Sequence, residues 1–188
     1  MTHTISFVPD HLGFTGPKAL GHEYYVDAIV DITDLDDALT MTGAFTASAN
    51  TFVRASGAAI AGLAVGNSVA ITNAVDGGNN IETRITAIDG NTITFTTIGA
   101  DEASDEVTLS KLNVVIPYSD FGLSTVSQVL VCGCENVELN PKVELGTDGN
   151  SLVAGSLVLR PVDENSGYTL PSNDAGTIRL RLFGKLLR

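Results

Sequence analysis

Thr46-Ala-Ser-Ala-Asn-Thr-Phe-Val-Arg54, Gly62-Leu-Ala-Val-Gly-Asn-Ser-Val-Ala-Ile71, Glu82-Thr-Arg-Ile-Thr-Ala-Ile88, Asn91-Thr-Ile-Thr-Phe-Thr96 and Glu106-Val-Thr-Leu109 follow one another along a single stretch of the chain. Each run is short, alternates apolar with polar residues and is bounded by Gly, Asn or Asp. That is the pattern of half-buried strands joined by tight turns. Strands are expected at Thr51–Arg54, Ser68–Asn73, Glu82–Ile88, Thr92–Ile98 and Glu106–Leu109. Asp89-Gly-Asn91 reads as the turn of a hairpin between two of them. Asp76-Gly-Gly-Asn-Asn80 reads as a flexible polar loop tip, and Asp101, Glu102, Asp105 and Glu106 as an acidic turn before the last strand.

The flanks read as strands of a different body. Over Tyr24–Ile32, residues Tyr24, Val26, Ala28, Val30 and Ile32 share one face and Asp27 and Asp31 the other. Asp34 is placed to cap a helical turn over Leu35-Asp-Asp-Ala-Leu39. Beyond Leu112, strands are expected at Val114–Ile116, Val126–Cys134, Pro141–Leu145, Leu152–Arg160 and Ile178–Leu187. In the last of these, Ile178, Leu180 and Leu182 form a core face and Arg179 and Arg181 a basic one. No long 3.6-residue pattern occurs, so the chain is expected to be all-β. The flanking pattern stops near Thr40 and resumes near Val114. The expected architecture is therefore a β-sandwich frame, jelly-roll or immunoglobulin-like, made from 21–41 and 112–188, with 42–111 inserted as a small β-barrel. Residues 1–20, with Pro9, Gly13, Gly16, Pro17 and scattered anchors Phe7, Leu12 and Phe14, read as an N-terminal arm, ordered only where it packs, either across a neighbouring molecule or as a loop wrapping its own domain.

The 188 residues carry a net charge of −12, unevenly placed. Glu23, Asp27, Asp31, Asp34, Asp36 and Asp37 lie in a run free of Lys and Arg between Lys18 and Arg54, and Arg160, Arg179, Arg181, Lys185 and Arg188 come late. Such a chain is repelled by phosphate backbones, so nucleic acid is not an expected partner. Acid keeps a surface soluble, or docks on a basic partner. No apolar run reaches membrane-spanning length and no secretory leader is visible, so no membrane partner is expected and synthesis in a reducing cytoplasm is. Two cysteines, Cys132 and Cys134, leave no room for a disulfide framework.

Little chemistry is legible. His3, His11 and His22 all lie in the first 22 residues, and none neighbours a nucleophile in a recognisable motif. No catalytic, cofactor or metal residue is assigned, and a non-enzymatic protein without cofactors is expected. Cys132 and Cys134 project to one face of a strand with Leu130. Two small apolar side chains in a core are the ordinary use of that pattern, and half of a metal site completed by histidines is the alternative. Asp34, Asp36 and Asp37 resemble half of a calcium loop, but Ala38 and Thr40 stand where ligating oxygens would continue. A solvated acidic edge is the plainer reading, with a calcium ion shared with Asp101–Glu106 as the alternative. The Gly-rich piece at Asp76 precedes no helix and implies no phosphate cradle.

Two segments are similar to known proteins. Asn50-Thr-Phe-Val-Arg-Ala-Ser-Gly57, Gly62 with Leu63, Gly66, Val69 and Ile71, the tip residues Asn79 and Asn80, and Ile85-Thr-Ala-Ile-Asp-Gly-Asn-Thr-Ile-Thr-Phe95 resemble a small β-barrel module of tailed-bacteriophage virion proteins. The module's usual aromatic before the first glycine-bounded run is replaced by Ile60. Tyr25-Val-Asp-Ala-Ile-Val-Asp-Ile32, Asp120-Phe-Gly-Leu-Ser-Thr-Val-Ser-Gln-Val-Leu130, Gly155-Ser-Leu-Val-Leu-Arg160 and Gly176-Thr-Ile-Arg-Leu-Arg-Leu-Phe-Gly-Lys185 are similar to small β-sandwich proteins of phage heads. The resemblance implies a capsid decoration (cement) protein on the outer surface of a virion. It would bind the major capsid protein as a homo-oligomer, with a trimer favoured and the insert as an exposed knob. A tail or neck protein is the alternative within the virion, and a carbohydrate- or calcium-binding adhesion module the alternative outside it.

Overall fold

Valine, isoleucine, leucine and threonine at every second position make extended backbone the rule, because branched side chains fit a pleated, half-buried surface. The computed structural model describes residues 2–10, 12–33, 38–56, 60–134, 141–146, 154–161 and 175–187. In chain order the first strands are β1 (Thr2–Phe7), β2 (Lys18–Leu20), β3 (Glu23–Thr33), β4 (Ala38–Thr46), β5 (Thr51–Arg54), β6 (Ser68–Thr72) and β7 (Glu82–Asp89). The rest are β8 (Thr92–Phe95), β9 (Glu102–Lys111), β10 (Val114–Pro117), β11 (Leu123–Cys134), β12 (Lys142–Leu145), β13 (Ser156–Arg160) and β14 (Ala175–Leu186). The chain is all-β and divides into two compact units, Met1–Leu35 with Val114–Arg188, and Asp36–Asn113.

The first unit is a sandwich. One sheet has the order β1-β3-β14-β11 with β2 also on β3, and the other the order β10-β13-β12. Val26, Ala28, Val30 and Ile32 of β3 and Ile178, Leu180 and Leu182 of β14 share one buried cluster with Val114, Ile116, Leu157 and Leu159 of the smaller sheet. The alternation expected for both long strands is thus the core itself, each buried valine, leucine or isoleucine contributing about 1.5–3 kcal/mol by leaving water. On the opposite face, Arg181 Nε donates to Asp27 Oδ1 at 2.6 Å and Nη2 to Oδ2 at 3.0 Å. Thr177 Oγ1 donates to Asp31 Oδ1 at 2.8 Å.

The described residues of the N-terminal segment supply two strands to the chain's own frame. β1 pairs with β3 from Thr2↔Thr33 to Phe7↔Ala28, and β2 resumes the same antiparallel ladder at Lys18↔Tyr25. The two are pieces of one edge strand, interrupted by residues 8–17. Ile5 and Phe7 pack on the core, so apolar burial and ladder hydrogen bonds together offset the cost of ordering the segment.

The second unit is a closed six-stranded barrel, β4-β5-β8-β7-β6-β9. Its interior is filled by Met41, Phe45, Phe52, Val69, Ile71, Ile85, Ile93, Phe95, Val107 and Leu109. The five expected strands supply five staves, and closure requires a sixth. That stave is β4, which the sequence reading divided between a helical turn and the insert. Residues 38–40 are strand, while Asp34–Asp37 lie outside the described residues. The barrel accordingly spans Asp36–Asn113 rather than 42–111. In β4, Met41, Gly43 and Phe45 point inward, and any Cβ at Gly43 would strike the Val53 carbonyl and the Phe52 ring. Of the acidic residues expected in a turn, Glu102, Asp105 and Glu106 lie instead in β9, where Glu106 opposes Thr42 and Glu102 opposes Phe45 across a bulge, and Asp101 directly precedes the strand. The hairpin at Asp89–Thr92 turns through Gly90 at φ +56°, a conformation glycine adopts without strain.

Candidate functional surfaces

The loop Asp76–Asn80 is an ordered lock, not a flexible tip. Asn79 is fully buried. Its Oδ1 accepts from the amides of Gly99 at 3.1 Å and Ala100 at 2.9 Å. Its Nδ2 donates to the Ala100 carbonyl at 3.2 Å and to Glu102 Oε2 at 2.9 Å. The other Glu102 oxygen accepts from the Asp76 amide at 2.9 Å, and Asp76 Oδ1 from the Gly78 amide at 2.8 Å. Asp101 Oδ1 accepts from the Ala47 amide at 2.7 Å. Backbone amides thus occupy an oxygen of each carboxylate that the calcium reading invoked at Asp101 and Glu102. Among the described residues, no group of three or more His, Cys, Asp or Glu is placed to hold a metal ion.

A second buried amide pair lies where the chain leaves the barrel. Asn113 Oδ1 accepts from Asn67 Nδ2 at 3.2 Å and from the Ser68 amide at 3.0 Å, and its Nδ2 donates to the Gly66 carbonyl at 3.3 Å. Asn67 Oδ1 in turn accepts from the Ala64 amide at 2.8 Å. The short polar side chains that punctuate the sequence as loop residues therefore satisfy buried backbone groups at both positions.

The cysteines do not share a core face. A register shift between Val131 and Gly133 interrupts the β11–β14 ladder. Cys134 then stands opposite Ile178 and packs on the core, while Cys132 is exposed. Burial pushes the Cys134 thiol above its ordinary pKa. His3 is in β1, at the other edge of the sheet with β3 and β14 between it and the cysteines. His22 lies at the β2–β3 turn, and His11 lies outside the described residues. Among the described residues, no histidine joins the cysteines in a group that could hold a metal ion. Tyr118 is also buried, with its hydroxyl donating to the Gly146 carbonyl at 3.2 Å, and burial raises its pKa.

What the frame offers is surface. In the 8–17 loop, Asp10 Oδ1 accepts from the amides of Leu12 at 2.8 Å and Phe14 at 3.0 Å, and the Asp10 amide donates to the Phe14 carbonyl at 2.9 Å. This closed turn presents Leu12 and Phe14 at 68% and 65% exposure. Pro17, at the base of the loop, lies against Gly122, whose carbonyl accepts from the Leu187 amide. Leu20, Leu186 and Leu187 are exposed at the same end of the sheet, where an open groove of about 610 Å³ is lined by His22, Tyr24, Ser124, Lys185, Leu186 and Leu187. A separate exposed apolar pair, Leu130 and Val131, lies in β11. The turn-rich composition of residues 8–17 signalled a loop, but only the Asp10 hydrogen bonds show that it is held in one shape.

No helix among the described residues is long and apolar enough to cross a membrane. Comparison with protein families, curated proteins and solved structures finds no match to this chain.

Proposed function

We propose that the protein is a non-enzymatic virion component that decorates and stabilises a phage capsid by binding major capsid protein subunits through its sandwich frame. The reading rests on the resemblance of the two segments to phage virion proteins. The observation that carries it is the apolar end of the frame. An ordered loop holding Leu12 and Phe14 in water, together with the exposed Leu20, Leu186 and Leu187 of the same unit, has the anatomy of an interface: large side chains fixed in advance for a partner's pockets. Lys18 and Lys185 lie in the strands at that end beside Glu23, in a chain of net charge −12, and the two cations suit acidic groups on the partner.

The test is cosedimentation with capsids that lack the protein, followed by thermal disruption of the particles. Binding that raises the disruption temperature, and that falls when Leu12 and Phe14 are both replaced by serine, is the expected result. A folded protein that ignores capsids overturns the reading. Binding confined to tails, in a number of copies set by tail length, transfers it to the tail.

A further inference from the structure

We infer that the β11 edge of the frame pairs with β11 of a second copy of this chain, antiparallel and about a two-fold axis. The inference stands apart from capsid binding. Among the described residues, sheet order leaves β11 at one edge and the broken β1/β2 strand at the other. An exposed row of N–H and C=O groups accepts foreign strands, so natural edges are blunted by charge, proline, interruption or bulges. The β1/β2 edge is blunted in this way: residues 8–17 interrupt it, Pro9 and Pro17 lie in the gap, and Lys18 opens the second piece. β11 is less protected. Its 12 residues include no charged side chain. Bulges disturb both ends of its ladder, but Gln128–Val131 pairs in unbroken register with Phe183–Leu180. Within that regular segment Leu130 and Val131 are 42% and 44% exposed.

The register selects the mode of pairing. Leu130 opposes Arg181 on the face shared with Asp27, whereas Val129 and Val131 oppose the core residues Leu182 and Leu180. A two-fold axis through Leu130 sets Leu130 against Leu130 on the outer face. On the inner face it sets Val129 of one copy against Val131 of the other. Both pairs match apolar with apolar, and the core layer continues across the joint.

Charge selects the occupant. At −12, most surfaces of two copies repel each other. This edge presents no charge of its own, and the neighbouring Arg181 is paired with Asp27. A charged partner strand gains nothing from such an edge, whereas an identical neutral strand fits it from both sides.

Sedimentation equilibrium on the full chain is expected to give the mass of two 19.6 kDa chains. Leu130→Lys or Val131→Lys brings like charges together near the axis and should weaken dimerisation by roughly tenfold or more, with the circular dichroism spectrum unchanged. In a Cys132→Ser, Cys134→Ser background, Leu130→Cys should form a disulfide-linked dimer under mild oxidation, and Gln128→Cys should not. That cross-link decides the matter if the lysine variants fail to fold. A monomeric wild type overturns the inference, as it would if another segment of the chain covered the edge. A three-chain mass also overturns it, since one edge paired with itself closes at two. So does a folded Leu130→Lys variant that dimerises as tightly as wild type.

Discussion

Asn79 shows how much a single amide side chain can hold. With no exposure to water, it satisfies two amides of the 99–100 segment, one carbonyl and one carboxylate oxygen. Gly99 lies so close to Gly78 that a Cβ would collide with the Gly78 backbone, which is why both loops can share the space around this residue. Asn79→Ala strands the Gly99 and Ala100 amides, and a buried donor left unpaired costs about 1–3 kcal/mol. Urea unfolding of the barrel should therefore shift to lower denaturant in this variant, while Asn91→Ala, half-buried in the Asp89–Thr92 hairpin turn, should shift it less. Equal midpoints for Asn79→Ala and wild type would remove Asn79 from this role. The sequence shows the asparagine but not its burial, because an Asn beside Gly-Gly reads equally as a solvated tip and as a turn that satisfies its neighbours.

At the scale of elements, period-2 alternation made Glu23–Thr33 and the core side of Ala175–Leu186 legible in advance, because each strand buries one face and solvates the other. It failed at β4, whose Thr-Met-Thr-Gly-Ala-Phe-Thr pattern is diluted by small residues that the closed barrel needs where strands crowd. It failed also at β1, where two inward apolar residues are too few to register as a strand until β3 is there to pair with. No local pattern announces a bulge, and the one at Val131–Gly133 reversed the expectation for the cysteines. Its consequence can be measured. Cys132 should react quickly with a water-soluble disulfide reagent. Cys134, packed on the core and with its thiol pKa raised, offers less thiolate at any given pH and should react more slowly, catching up only in denaturant or at higher pH. Single-serine variants separate the two rates, and equal rates in the native protein would contradict the bulged register. The exposed apolar loop and edge of the frame, on which both proposals rest, were the least legible features, since exposure depends on what the rest of the chain leaves uncovered.

For the whole molecule, the division at Asp36 and Asn113 makes a stronger statement than the expected 42–111 boundary. The strands that open and close the barrel pair with each other, Ala38 opposite Ser110, so the two points where the chain joins the barrel are neighbours. Excising residues 36–113 and bridging the gap with a short Gly-Ser linker should leave a frame that unfolds cooperatively, because loop closure over so short a gap costs little. Excising 42–111 should do worse, leaving Ala38–Met41 as an orphaned half-strand. Calorimetry on the two deletions distinguishes them. An unfolded 36–113 deletion beside a folded 42–111 deletion would show that β4 belongs to the frame. The same comparison bears on the proposed division of labour, since a frame that still binds capsids without its barrel would leave the barrel free as the exposed knob.

The ladder of β1, β3 and β14 also has a mechanical meaning. Both outer strands run antiparallel to β3, with Thr2 and Ala175 opposite Thr33 at one end and Gly184 opposite Tyr24 at the other. Tension applied between the first and last strands therefore slides them along β3 and loads their hydrogen bonds together, as a lap joint does. Tension across the barrel's two connections instead peels β4 from β9, one rung at a time from Ala38–Ser110. Both of those connections are anchored in the sandwich, so load applied to the first and last strands reaches the barrel only after the sandwich opens, and the barrel then pays out its slack second.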